Sequence, residues 1–570
     1  MTHDAFRSGF HLSAGPVATE LAANADASAK AARGLWAKDP STWSADPAVQ
    51  QKIANRLGWL TSPALMVESA GRIAAFADSV RRDGFTDVVL LGMGGSSLAP
   101  EVLRAVLGVS PGWPRLHMLD STDPAAVRAI RPAPATTLFL LSSKSGGTIE
   151  PNSLAAHFTR VLMDAGIARW ADHFVAITDA GTELARRAEA EGFRDTFINP
   201  TDIGGRFSAL SFFGIVPAAL MGQDIEALVR SGLAMLDEAR ASSGDTATNP
   251  AVGLGLLMGA GAKAGRDKLT LIVPPALEAF GLWVEQLVAE STGKQGVGVV
   301  PIAGETLGAA SAYGNDRVFV RLRATGDADE ERRDRAVQQL SSAPTLTLDF
   351  AEPAALGAEF IRWEVATAVA GALLGVNPFD EPNVQTAKDA TRVLLDRHAV
   401  DGRLPVAAAD RTTDQGVTFT LSAAAGKAMD RAVPESLLTL VGAGDYVGIL
   451  AYLGPDPAFA EAIARFRAAV RDETRAATMF GYGPRYLHST GQLHKGGANN
   501  GVFVLVSDTP AADLEIPGQP FTFGTLELAQ ALGDFTSLDS TGRRALHIHL
   551  PTSDPALLSA ALDSLLAHRT

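Results

Sequence analysis

One local grammar recurs in the first half of the chain and constrains the fold more than any other feature. TDVVLLGMGGSSLAPEVLRAVLG, TTLFLLSSKSGGTIEPNSLAAHFTRVL and HFVAITDAGTELARRAEAEG each run from an apolar stretch through a polar turn into a helical run. Apolar strands alternating with helices predict βαβ units, a parallel sheet and helices on both of its faces. In such sheets ligands lie at the carboxyl ends of the strands. A second unit begins near residue 250, with strands expected in DKLTLIVPP and RVFVRLR and a long helix over 353–375. After Lys388 come polar loops, helices around 434–452 and 456–472, and the strands VFVLVSD and ALHIHLP separated by a helix from Thr525. Residues 1–60 are Ala-rich and helical in period, with Trp36, Trp43 and Trp59 expected to pack on the rest. The division expected is a helical extension over 1–60, α/β domains over 61–240 and 241–400, and a carboxy-terminal α/β segment over 401–570.

Length and charge narrow the function. A chain of 570 residues suits two or three packed units. Its formal net charge of −14, from 49 basic and 63 acidic side chains, disfavours nucleic acid and anionic membranes as partners. An anionic ligand would have to be small and locally cradled. The sequence has no Cys, which excludes disulfides, thiolate nucleophiles and Cys-ligated zinc. Apolar runs stop well short of the ~20 residues of a membrane span. The amino terminus has an early Asp and no apolar stretch, so no secretory leader is expected. A cytoplasmic enzyme is the class these features favour.

Five segments carry candidate chemistry. In Gly92-Met93-Gly94-Gly95-Ser96-Ser97 the third glycine of a dinucleotide fingerprint is Ser97, so the pattern fails even though Asp120 stands where a ribose-binding acid could. A structural turn, or substrate contact through Ser96, remains. Ser142-Ser143-Lys144-Ser145-Gly146-Gly147-Thr148-Ile149-Glu150 ends a strand and opens a helix, where free N–H groups and hydroxyls suit one phosphate monoester. It lacks Walker spacing, and a Ser/Thr-rich N-cap is the plain alternative. Arg206, after Gly204 and Gly205, could point into a cleft or lie on a surface turn. Trp283, Leu287 and Val288 form a helical stripe that Gly293 stops, so Glu290 meets the negative end of the helix dipole. That raises its proton affinity and suits a general base, against the alternative of a solvated Glu. In Asn377–Lys388 two prolines precede a helix that carries Lys388 early, either for a functional reason or as an ordinary solvated Lys. His488 and His494 flank Ser489-Thr490-Gly491-Gln492. His547 and His549 share a strand face, but no third ligand is near, so neither a metal nor another cofactor is expected.

LGMGGSSLAP, SSKSGGTIE, DIGGRFS, the Gln286–Lys294 run and NPFDEPNVQTAK follow the order seen in phosphoglucose isomerases, which the chain resembles over roughly residues 85–390. YLHSTGQLHKGG, DLEIPGQPF and FGTLELAQALGDF resemble the isomerase half of fused transaldolase/glucose-6-phosphate isomerase proteins. With only about 85 residues before the first motif, no transaldolase barrel is expected ahead of it. A stand-alone chain, the isomerase portion of a fusion, a transaldolase partner and a homodimer all stay open. The resemblance implies an α/β fold with two SIS-type (sugar isomerase) three-layer αβα domains, each with a parallel sheet. It also implies interconversion of glucose 6-phosphate and fructose 6-phosphate through a cis-enediol, in glycolysis and gluconeogenesis, without a cofactor. By resemblance Ser96, Ser143, Lys144, Ser145 and Thr148 contact the sugar phosphate, and Arg206, beside Gly205, stabilises the enediolate. Gln286 contacts substrate, Glu290 is the base and Lys388 assists ring opening. The alternatives are a non-catalytic SIS sensor of sugar phosphates and an enzyme that also accepts mannose 6-phosphate.

The chain also departs from the family pattern. Glu381 and Asn383 stand where the family usually reads Gln and Gly, and residues 291–388 contain no His. Leu487-His488-Ser489-Thr490-Gly491-Gln492 is the best match for the missing histidine, with His494 next, on the far side of Lys388 and supplied by this chain or by a partner subunit.

Overall fold

The structure is a computed structural model that describes residues 3–340, 342–429 and 433–569. The lead-in is helical apart from β1 (Phe10–Ser13). Next come β2 (Asp87–Leu91), β3 (Arg115–Leu119), β4 (Thr137–Ser142), β5 (Phe174–Asp179) and β6 (Asp195–Asn199), which form one parallel sheet ordered β3-β2-β4-β5-β6. A second sheet holds β7 (Lys268–Ile272), β8 (Val300–Ile302), β9 (Arg317–Ala324) and β10 (Thr345–Phe350) in the order β10-β9-β7-β8, with β1 antiparallel on its edge. The third contains β11 (Arg411–Thr412), β12 (Thr418–Leu421), β13 (Tyr446–Tyr452), β14 (Ala477–Tyr482), β15 (Gly501–Asp508) and β16 (Arg544–Leu550), ordered β11-β12-β16-β15-β13-β14. Its last four strands are parallel, and β11 and β12 are antiparallel.

The three sheets share one winding. In each, the first strand of the unit lies between the second and the third, and the fourth follows the third. The winding direction therefore reverses beside the first strand, and a crevice opens there at the carboxyl ends. Every residue of β2, β4, β13 and β15 is buried, as helices on both faces of a parallel sheet require.

Two expectations from the sequence change. The helix expected over 434–452 is a 3-10 turn, Pro434–Leu440, followed by β13, a central strand. Tyr-Val-Gly-Ile-Leu-Ala-Tyr is an apolar run without polar alternation, and periodicity cannot tell a doubly buried strand from a buried helix. The carboxy-terminal segment is thereby a complete third unit, for which β14 supplies a further unforeseen strand. The lead-in contributes β1 to the second sheet and backs the cleft. Trp43 donates to the Ala368 carbonyl at 2.9 Å and meets Phe379 edge-on, while the rings of Trp59 and Phe207 lie 5.3 Å apart. Phe207 and Phe379 in turn sit beside the chemistry-bearing Arg206 and Asp380.

Candidate active site

At the first unit's crevice the turn after β2 faces the turn after β4. Gly94 has φ +54°, and a Cβ there would lie 2.7 Å from the His488 carbonyl oxygen. A Cβ on Gly95 would lie 2.0 Å from the Gly205 carbonyl oxygen. These glycines thus admit other backbone, not a ligand, and bring the Arg206 and His488 segments up to Ser96. A cavity of about 460 Å³ results, with Ser96, Ser143, Lys144, Ser145, Thr148, Gly205, Glu381 and His488 in its walls. It adjoins a second cavity, of about 450 Å³, which shares Ser145, Thr148 and His488 and adds Glu150 and Lys388.

The turn after β4 forms one end of the cavity. Ser143 Oγ and Ser145 Oγ lie 3.2 and 3.4 Å from Thr148 Oγ1, so the three hydroxyls form one cluster. Thr148 is the N-cap of the helix Ile149–Asp164, yet its side chain caps no backbone N–H. The cap reading weighed from the sequence is therefore unmet, and the helix presents hydroxyls and N–H groups to the cavity. Lys144 Nζ pairs with Asp179 and donates to the Thr201 carbonyl at 3.2 Å.

Opposite lies the helix Glu278–Thr292, buried from Trp283 to Thr292 and ended at Gly293. Glu290 occupies its last turn, and its carboxyl is pushed above the ordinary range. Burial is the largest cause. Glu381 adds to the rise, whereas Arg206, Lys294 and a hydrogen bond from Gln286 oppose it. Arg206 is buried and fully engaged. Nε donates to Ser291 Oγ at 2.7 Å, and Nη2 donates to the carbonyls of Pro378 and Asp380 at 2.6 and 2.9 Å. Nη1 lies 3.0 Å from Glu381 Oε2 and 3.2 Å from Glu290 Oε1. Behind it Lys294, whose ammonium burial pushes down to about 8, binds the Asn377 carbonyl at 2.6 Å and Asp380 Oδ1 at 2.7 Å. This pins the 377–381 loop.

The third unit closes the cleft. Gln286, one helical turn before Glu290, donates from Nε2 to Glu290 Oε2 at 3.2 Å and to the His488 carbonyl at 2.7 Å. Its buried Oε1 has no protein partner. The His488 ring is partly exposed and lines both cavities, with Nε2 2.9 Å from Glu150 Oε1. Burial alone would raise the Glu150 carboxyl, but His488, with its hydrogen bond, and the charge of Lys388 outweigh it and hold Glu150 below the usual range. An ionised Glu150 accepts the Nε2 proton. Gln530 donates to the same Glu150 oxygen at 2.7 Å and accepts from Thr122 at 2.9 Å. Asp120, weighed as a ribose ligand, instead accepts from Arg485 at 2.6 and 2.7 Å, which fixes the turn that bears His488. Gln492 accepts from Asn383 N at 2.8 Å and donates to Asn383 Oδ1 and to the Gly293 carbonyl at 2.8 and 2.9 Å. The unusual Asn383 thus ties the loop to the third unit.

The structure places Ser96, Ser143, Lys144, Ser145, Thr148, Gly205, Lys388 and His488 in the walls of the two adjoining cavities, with Arg206, Gln286 and Glu290 directly behind them, bonded to Glu381, to His488 and to one another. Lys388 lies on the exposed edge of the second cavity, in the helix Val384–Asp401. His494 is elsewhere, in the third unit's core among the rings of Tyr446, Tyr486 and Phe503. His547 and His549 share the Ser507 hydroxyl, at 2.7 and 3.0 Å. Sequence reasoning missed Glu150, although the residue stands at the end of the hydroxyl turn. An acid in a helix's first turn, straight after a polar turn, was the available signal. It also missed Gln530 and Arg485.

The family model described as Phosphoglucose isomerase matches residues 79–318. A glucose-6-phosphate isomerase of Cyanothece sp. is 30% identical over 396 residues, which cover 59% of this chain and 74% of that protein. One from Rubrobacter xylanophilus is 31% identical over 370 residues, 56% of this chain and 85% of that protein. Among solved structures, a hypothetical protein from Thermus thermophilus superposes with TM-score 0.58 at 26% identity, over 67% of this chain and 99% of that one. A glucose-6-phosphate isomerase from Chlamydia trachomatis shares the fold with TM-score 0.51 at 21% identity, over 66% of this chain and 79% of that one.

Proposed function

The chain belongs to the phosphoglucose isomerase family and interconverts glucose 6-phosphate and fructose 6-phosphate, and from that premise we propose how its residues divide the work. The phosphate docks on the hydroxyls of Ser143, Ser145 and Thr148, the amino end of the helix behind them, Lys144 and the neighbouring Ser96. Anchored there, the sugar extends between Glu290 and His488, and anchoring lowers the entropic cost of alignment. His488, held by Glu150 at Nε2, delivers a proton to the ring oxygen on opening and takes up the one that the anomeric hydroxyl releases, with the reverse on closure. Lys388 orients that oxygen from the cavity edge. Glu290 then takes the C2 proton of the open-chain aldose and returns it to C1, the hydroxyl proton passes from O2 to O1, and Arg206 stabilises the enediolate oxygen.

One arrangement carries this reading: Gln286 touches both Glu290 and the backbone of His488, so base and ring-opening group are held in one frame. A sensor of sugar phosphates needs the hydroxyl turn but not a buried carboxylate against a buried guanidinium. We infer further that one chain supplies every proposed group, so a homodimer or a transaldolase partner is not needed to complete the site.

Glu290→Gln keeps the shape and removes the base. Turnover in a coupled assay of glucose 6-phosphate formation is expected to fall by ~10²–10⁴-fold, with fructose 6-phosphate binding largely kept. Retention of more than about a tenth of wild-type turnover would falsify the assignment of Glu290 as base.

A further inference from the structure

Arg206 stands between two carboxylates, and the proposed mechanism uses only one. Glu290 is enclosed, its side chain 11% exposed, whereas that of Glu381 is 44% exposed and lies in the wall of the cavity. Both reach the same nitrogen, Nη1. The other guanidinium nitrogens are tied down by Ser291, Pro378 and Asp380, so the group stays in place if Glu381 leaves. A carboxylate oxygen 3.0 Å from Nη1 occupies a position suited to an anionic oxygen.

We propose that Glu381 is a positioning residue that holds Arg206 Nη1 between turnovers and yields it to the substrate's developing oxyanion. The inference rests on the roles proposed for Arg206 and Glu290. In the resting site Glu381 is a replaceable counter-ion. It keeps the guanidinium aimed and partly neutralised, and it competes with the anionic substrate for the same charge. It also stands beside the base. Glu290 faces Arg206 and Glu381 across the cleft and Lys294 and Asp380 behind them, with Gln286 on its own helix. Through Gln286 it is linked to His488 and Glu150. The Asp380 carboxylate is occupied by Lys294. Among these acids only Glu381 both binds Nη1 and opens onto the cavity.

The test is Glu381→Gln, which keeps size and hydrogen bonding and removes the charge, with Glu381→Asp as the charge-preserving control. In Glu381→Gln the KM for fructose 6-phosphate is expected to fall about two- to five-fold, the scale of a half-exposed charge pair. The acid limb of its kcat/KM profile is expected to move to lower pH, because the acid that raises Glu290 is gone. Glu381→Asp should keep the acid limb in place. A purely structural role for Glu381 would not move that limb. If either shift is missing in Glu381→Gln while Glu290→Gln is inactive, the inference is overturned. An active Glu290→Gln overturns instead the reading on which it rests.

Discussion

At the scale of single residues, the pH profile follows from burial. Glu290 is raised chiefly because its charge is desolvated. It acts deprotonated, so kcat/KM stays high above the raised value and is lost as pH falls through it. The acid limb is expected above the ordinary carboxylate range of about 4.3, measured as kcat/KM for fructose 6-phosphate against pH. Full activity held down to roughly pH 4.5 contradicts this account of the base. Placement was legible where a motif marks it: the hydroxyl turn and Lys388 line the cavities, and Arg206 and Gln286 with Glu290 stand directly behind them. Glu150 was not, because its partner is 338 positions away and nothing local announces a carboxylate waiting for an imidazole. The partner of Asp120 was hidden for the same reason, since Arg485 is 365 positions away.

Among elements, the helix Ile149–Asp164 matters most for affinity. Its N-cap Thr148 makes no side-chain cap, so removing the hydroxyl should not fray the helix. Ser145→Ala with Thr148→Ala deletes two donors to a charged phosphate, each such bond contributing ~1.5–3 kcal/mol. Fructose 6-phosphate binding by calorimetry should weaken more than about ten-fold, with helical content by circular dichroism unchanged. Unaltered affinity would move the phosphate elsewhere. The strands flanking this turn were legible because Gly and Ser punctuate apolar runs at their ends. β13 was not, since a strand buried on both faces shows neither alternation nor charge. A helix expected there conceals the parallel core of the third sheet, in which β13 is a central strand.

For the whole molecule, three units repeat one winding order, but among the described residues only the first carries the proposed phosphate-binding turn at its crevice. In the third, the corresponding end holds Asp508, which burial raises to about 6, and Glu527, which burial raises far above the ordinary range beside Asp123. Buried carboxylates there disfavour an anion. The third unit instead serves the first unit's site, through Arg485 on Asp120, Gln530 on Glu150 and Gln492 on the loop at Asn383. The sequence pointed to His488 as the missing histidine, but whether it reaches the cleft of its own chain depends on these distant contacts. The most direct measurement of that claim is co-expression of a Glu290→Gln chain with a His488→Ala chain, each strongly impaired alone on cyclic glucose 6-phosphate. Since every site draws Glu290 and His488 from one chain, the mixture should be no more active than the two variants measured separately. Recovery of isomerase activity in the mixture would show that His488 is exchanged between chains, and would contradict a site completed within one.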